Sequence, residues 1–105
     1  MAQFDVYPNP SRTTKKYLPY LLDIQNPFLS DLSTRLVIPL GIKSALRNEV
    51  MDRLTPEVSY DGEELLILTP QMSSVPVSIL KKPLGSLSHF RDEIIGSLDF
   101  AVTGI

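Results

Sequence analysis

The sequence predicts a mainly β fold with a C-terminal α-helix, its strands forming an antiparallel sheet or a small, partly open barrel that the helix covers. Three observations lead there. About six short apolar segments follow one another, separated by turns rich in proline, glycine and small polar residues. Asp61-Gly62, a pair that accepts positive φ, lies between two of them as a type I′ hairpin turn would. A sustained helical repeat appears late, from Leu87 to Ile105.

Gln3-Phe4-Asp5-Val6-Tyr7 alternates polar and apolar residues, as a half-buried first strand does. The proline-containing stretch from Pro8 to Lys16 reads as a loop, and its cations Arg12, Lys15 and Lys16 as a solvated cluster. Residues 17–24 form a second strand, in which Pro19, lacking a ladder donor, predicts an edge or a bulge. The loop that follows carries Phe28 and Leu29 together. Two such residues either anchor a loop to the core or meet a partner, and anchoring is the expectation. Thr34-Arg35-Leu36-Val37-Ile38-Pro39-Leu40 predicts a strand buried on both faces. Leu46, Val50 and Leu54 recur at helical spacing, so periodicity predicts a short helix over 44–54. Residues 55–60 and 63–69 are the arms of the Asp61-Gly62 hairpin. Residues 71–74 are a turn, and 75–80 a further strand that Pro76 places at an edge.

In the last segment Phe90, Ile94, Leu98, Ala101, Val102 and Ile105 fall on one stripe, which predicts packing on the sheet. Each Leu or Ile buried there stabilises by roughly 1.5–3 kcal/mol. Ser88 is the expected N-cap, and Asp92 and Glu93 meet the positive end of the helix dipole. Gly104 is the expected stop. Gly96, Asp99, Phe100 and Thr103 lie away from the stripe, so Phe100 points where a solvated helix favours Lys or Glu. Either Phe100 and Ile105 pack on a neighbouring loop or dimer seam, or Asp99, Phe100, Thr103, Gly104 and Ile105 form a tip that a partner reads.

At 105 residues the chain suits one domain spanning 1–105. It has no cysteine, no apolar run long enough to span a bilayer, and a start unlike a signal peptide, so a cytoplasmic location is expected. The formal net charge of −2 carries no footprint for direct nucleic-acid binding, and a protein partner is expected instead. One histidine, His89, does not supply a metal site, no G-x-S-x-G elbow surrounds any serine, and no glycine-rich phosphate loop is present. No cofactor and no enzymatic activity are expected.

Several stretches occur in the order found in the CcdB family of bacterial toxins. They are Gln3-Phe4-x-Val6-Tyr7, Asp23-Ile24-Gln25, Arg35-Leu36-Val37-Ile38-Pro39-Leu40, Met72-x-Ser74-Val75-Pro76-Val77-Ser78, Leu87-Ser88-His89 and the final Gly104-Ile105. The resemblance spans essentially the whole chain. It implies an SH3-like barrel shared with the MazF and Kid type of endoribonuclease toxin, and a homodimer. It also implies a non-enzymatic toxin that binds the A subunit of DNA gyrase in its dimerisation region and traps the enzyme on cleaved DNA. A cognate CcdA-like antitoxin would neutralise it, and the pair would repress its own operon, so that DNA is met only indirectly.

By the same resemblance the gyrase contact is the last turn. Gly104 and Ile105 match the family directly, whereas Thr103 stands where a tryptophan is usual, removing a ring of the kind that contributes 2 kcal/mol or more at an interface. Asp99 matches an assisting polar position, and Phe28 and Leu29 an aliphatic loop pair that also approaches gyrase. For 44–54 the resemblance implies mostly loop leading into a strand, against the periodicity. Two alternatives stand beside the gyrase poison: an endoribonuclease on the same fold, or an antitoxin-binding module that has lost gyrase activity through Thr103.

Overall fold

The computed structural model describes residues 2–29 and 31–104. Seven strands, β1 (Asp5–Pro8), β2 (Tyr20–Asp23), β3 (Thr34–Ile42), β4 (Glu57–Tyr60), β5 (Glu63–Ile67), β6 (Ser73–Pro76) and β7 (Gly85–Ser86), precede one α-helix, α1 (Arg91–Thr103). The sheet runs β4-β5-β3-β2-β1-β7, every pairing is antiparallel, and β6 joins β3 off this path. It curls into a half-barrel with α1 as its C-terminal helix, the architecture that the family resemblance implies. No helix among the described residues is long and apolar enough to cross a membrane.

The nine-residue strand β3 organises the sheet. One edge pairs with β2 through residues 37–40, while the other is shared by β6 at 34–37 and β5 at 40–42. Pro39 lies at that handover. Its carbonyl accepts the Leu68 N–H (3.1 Å), so its missing donor would have pointed into the same gap and no ladder bond is lost. The strand alternates exposed and buried until Leu36 and is buried on both faces from Val37 to Gly41. The expected double burial therefore holds for its second half.

One sheet face carries Val6, Leu22, Ile38, Leu40, Leu65 and Ile67, closed by Leu87 and Ile94. The other carries Tyr7, Leu21 and Val37 under Leu80. Beside this second cluster Arg35 donates through Nη2 (2.7 Å) and Nε (3.1 Å) to Asp23 Oδ2, and Asp23 Oδ1 accepts the Gln25 N–H (2.9 Å). Both charged side chains are fully buried. Tyr7 Oη and Arg35 Nη1 are buried with no hydrogen-bond partner among the described residues.

Burial, and after it the carboxylates of Asp5 and Asp23, push the Tyr7 phenol above its ordinary value near 10, against the pull of Arg35. Burial raises Tyr20 and Tyr60 as well. A phenol that ionises less readily when folded contributes stability that is intact below the unfolded value of about 10 and is lost as pH rises through the folded one. Urea unfolding should therefore show a lower midpoint at about pH 10.5 than at about pH 8. Tyr7→Phe should raise the midpoint at pH 8 by the equivalent of about 1 kcal/mol, by removing an unpartnered buried hydroxyl, and should lessen the alkaline loss.

The hairpin forms as expected, with Asp61 at φ 51° and Gly62 at φ 78°. Elsewhere the sequence expectations need correction. The first strand begins only at Asp5, because Phe4 takes a left-handed φ of 73° while its N–H bonds the Asp23 carbonyl (2.5 Å). Pro19 marks neither an edge nor a bulge in β2. It precedes the strand, its carbonyl accepts the Asn9 N–H, and β2 is flanked by β1 and β3. No α-helix forms over 44–54. Two 3-10 turns, Lys43–Ala45 and Arg47–Glu49, lead through further turns to β4, as the family resemblance implied. The strand expected at 75–80 starts at Ser73 and gives way after Pro76 to the 3-10 turn Val77–Ile79, although β6 is an edge strand as Pro76 suggested.

Candidate functional site

Helix α1 is built in two unlike halves. Ser88 is not its N-cap. A 3-10 turn, Ser88–Phe90, precedes it, Phe90 occupies the cap position without a side-chain bond, and Asp92 and Glu93 fill the first turn. In the first half Ile94 and Ser97 are buried, and Ile95 and Leu98 partly so. Ser97 Oγ donates to the Ile94 carbonyl (2.8 Å) and thereby receives the Thr69 hydroxyl (2.8 Å), which fastens α1 to the turn Thr69–Gln71. Nothing in the apolar periodicity marks this pair. A serine on the buried side of the wheel was the available signal.

Beyond Phe100 the helix leaves the sheet. Ala101, Val102, Thr103 and Gly104 are all exposed, Val102 to 74 %. The expected stripe therefore packs only as far as Leu98. Phe100, placed on the solvent side by the wheel, is instead half-buried, with the Arg53 guanidinium 4.1 Å above its ring. It packs on a neighbouring loop and is not offered to a partner in full.

Gly104 ends the helix in the left-handed conformation (φ 73°, ψ 20°), its N–H bonding the Phe100 carbonyl (2.9 Å). The expected stop is thus realised where a residue with a Cβ would be strained. Asp99 and Thr103 lie one turn apart, and the Thr103 hydroxyl donates to the Asp99 carbonyl (2.6 Å). That bond ties the hydroxyl to its own helix and leaves the exposed Asp99 carboxylate free of it. Ile105 lies outside the described residues.

Phe28 and Leu29 do not anchor their loop. Phe28 is 94 % exposed and Leu29 half exposed, on the 3-10 turn Pro27–Leu29. Polar groups hold the turn instead. Asn26 Oδ1 accepts the Phe28 N–H (2.9 Å), the Asn26 carbonyl accepts the Leu29 N–H (2.9 Å), and Gln25 links the Leu29 carbonyl (3.3 Å) to the Leu36 N–H (3.0 Å) of β3. Backbone thus fixed to the central strand presents an unsupported aromatic ring to solvent. The main packing partners of α1 are the turns Thr69–Gln71 and Ser88–Phe90, so the helix tip and the Phe28 turn are exposed on two different elements.

Arg12, Lys15 and Lys16 are exposed on a loop that Asn9 holds through Leu18 and Thr14. His89 is exposed against Phe90, with ring centroids 4.5 Å apart. No group of three or more potential metal ligands occurs among the described residues. A family model described as CcdB protein matches residues 3–104, which takes in every described part of both apolar surfaces.

Proposed function

From the premise that this chain belongs to the CcdB family and is a toxin of the toxin–antitoxin kind, we propose that it poisons DNA gyrase by binding rather than by catalysis. The tip, Asp99, Thr103, Gly104 and Ile105, meets the A subunit in its dimerisation region, with Phe28 and Leu29 as a second contact. Bound there, the protein holds gyrase on cleaved DNA. It works as a homodimer, a CcdA-like antitoxin neutralises it, and the two together repress their operon.

What carries the reading is the exposure of the last helical turn, Ala101 to Gly104, on a helix whose first half is anchored by buried Ile94 and pinned through Ser97. A helix end that neither packs nor carries solvating charge leaves apolar surface for a partner. Phe28 adds the aromatic surface that the tip lacks at Thr103. Phe28→Ala should therefore weaken binding to the gyrase A dimerisation fragment about tenfold or more by calorimetry. Unchanged affinity would remove the loop from the contact.

One observation favours a second reading. The Thr103 hydroxyl is spent on the Asp99 carbonyl (2.6 Å), at the position where the family usually places tryptophan. A chain so altered would serve as an antitoxin-binding module without gyrase activity. Thr103→Trp separates the two readings: a gain of binding from none supports the module, and a modest gain on existing binding supports the poison.

A further inference from the structure

A second kind of surface lies where the β4–β5 hairpin meets β7. Tyr20, Tyr60, Asp61, Leu84 and Gly85 line a cavity of about 390 Å³. The two phenol rings meet edge to face, with centroids 5.3 Å apart and planes at 79°. Their fit depends on Gly85, since a Cβ there would lie 2.5 Å from Tyr60 Oη. Asp61, held by the turn at φ 51°, sets a carboxylate at the rim. Among the described residues that carboxylate makes no ion pair and no hydrogen bond.

The neighbouring cavity on the same hairpin makes a useful contrast. Its Glu63 and Glu64 are accompanied by Lys43 and Arg47, so its charge is balanced from within. The tyrosine cavity has no cation in its lining. Aromatic walls beside an unpaired carboxylate attract a cation that also has a flat, weakly hydrated face, and a guanidinium meets both requirements better than an ammonium.

We propose that this cavity is a recognition site for an arginine side chain of a partner peptide, the guanidinium lying against Tyr20 and Tyr60 and donating to the Asp61 carboxylate. Charge complementarity selects the occupant, and the Leu84 side chain, 55 % exposed, receives the methylene stem. The site shares no residue with the helix tip or the Phe28 turn, so the gyrase reading can fail without affecting it.

The test is an amide NMR titration of the full chain with N-acetyl-arginine methylamide, and in parallel with the uncharged citrulline counterpart. The arginine probe should give saturable shifts at Tyr20, Tyr60, Asp61 and Gly85, and the citrulline probe at least tenfold weaker binding. Asp61→Asn keeps the turn, because asparagine tolerates positive φ, and should lower the arginine affinity at least tenfold. Glu64→Gln, on the neighbouring cavity, should leave it unchanged. Equal binding of citrulline, undiminished binding by the Asp61→Asn protein, or no shift at the two tyrosines would overturn the proposal.

Discussion

Arg35→Ala is expected to destabilise the fold by about 3–5 kcal/mol, because it leaves the Asp23 carboxylate buried with the Gln25 N–H as its remaining donor. The loss should be evident as a reduced urea midpoint with an unchanged slope. Removing both charges is expected to cost much less. In an Asp23→Leu, Arg35→Met double variant no ion is left unpaired, and well-packed apolar replacements of a buried pair are often neutral. A double variant as unstable as Arg35→Ala would show that the pair contributes attraction well beyond the cost of its own desolvation.

The second large effect concerns toxicity and leaves stability alone. A chain ending at Thr103 should no longer kill cells, since it lacks Gly104 and Ile105. Losing one strong contact residue at an interface costs about 2 kcal/mol or more, roughly a thirtyfold loss of affinity. The fold should change by no more than about 0.5 kcal/mol, because Ala101 to Gly104 are exposed and the truncation forfeits a single helix-capping bond, Gly104 N–H to Phe100. Unfolding measured beside the killing assay separates a missing contact from a missing fold.

The positions of these two effects show which parts of the molecule the sequence could disclose. Turn chemistry was legible, because Asp61-Gly62 and Gly104 meet backbone requirements that few other residues satisfy. Local apolar patterns located most strands for the same reason. Relations across the chain were not legible. Nothing within residues 44–54 reports that the chain enters the segment through a 3-10 turn, Lys43–Ala45, packed on β5 and continues as a second, Arg47–Glu49, so Leu46, Val50 and Leu54 imitate a helix. Likewise the stripe of α1 continues in the sequence past the point where the sheet ends, and Val102 is left in solvent. The Asp23–Arg35 pair lies within stretches quoted for the family resemblance, yet its burial follows from pairings across the chain, with Val37 opposite Asp23 of β2 and Arg35 opposite Val75 of β6.

The candidate site divides in the same way. Gly104 as a helix stop could be read from the sequence, whereas the placements of Phe28 and Phe100 could not. A loop aromatic anchors or protrudes according to what lies beneath it, and here polar groups of Gln25 and Asn26 hold the turn while the ring stays outside. Phe100 is partly covered because Arg53, distant in sequence, folds over it. Under the proposed gyrase contact, its share is correspondingly smaller and that of Phe28 larger.

Gyrase poisoning through the tip is tested most directly by DNA cleavage. Purified gyrase, ATP and supercoiled plasmid are incubated with the intact chain or with one ending at Thr103, then denatured and digested with protease. Linear DNA with the intact chain and none with the shortened one is the expected result. No linear DNA with either chain, while a CcdA-like antitoxin still binds both, would contradict it and leave the antitoxin-binding module as the function of this protein.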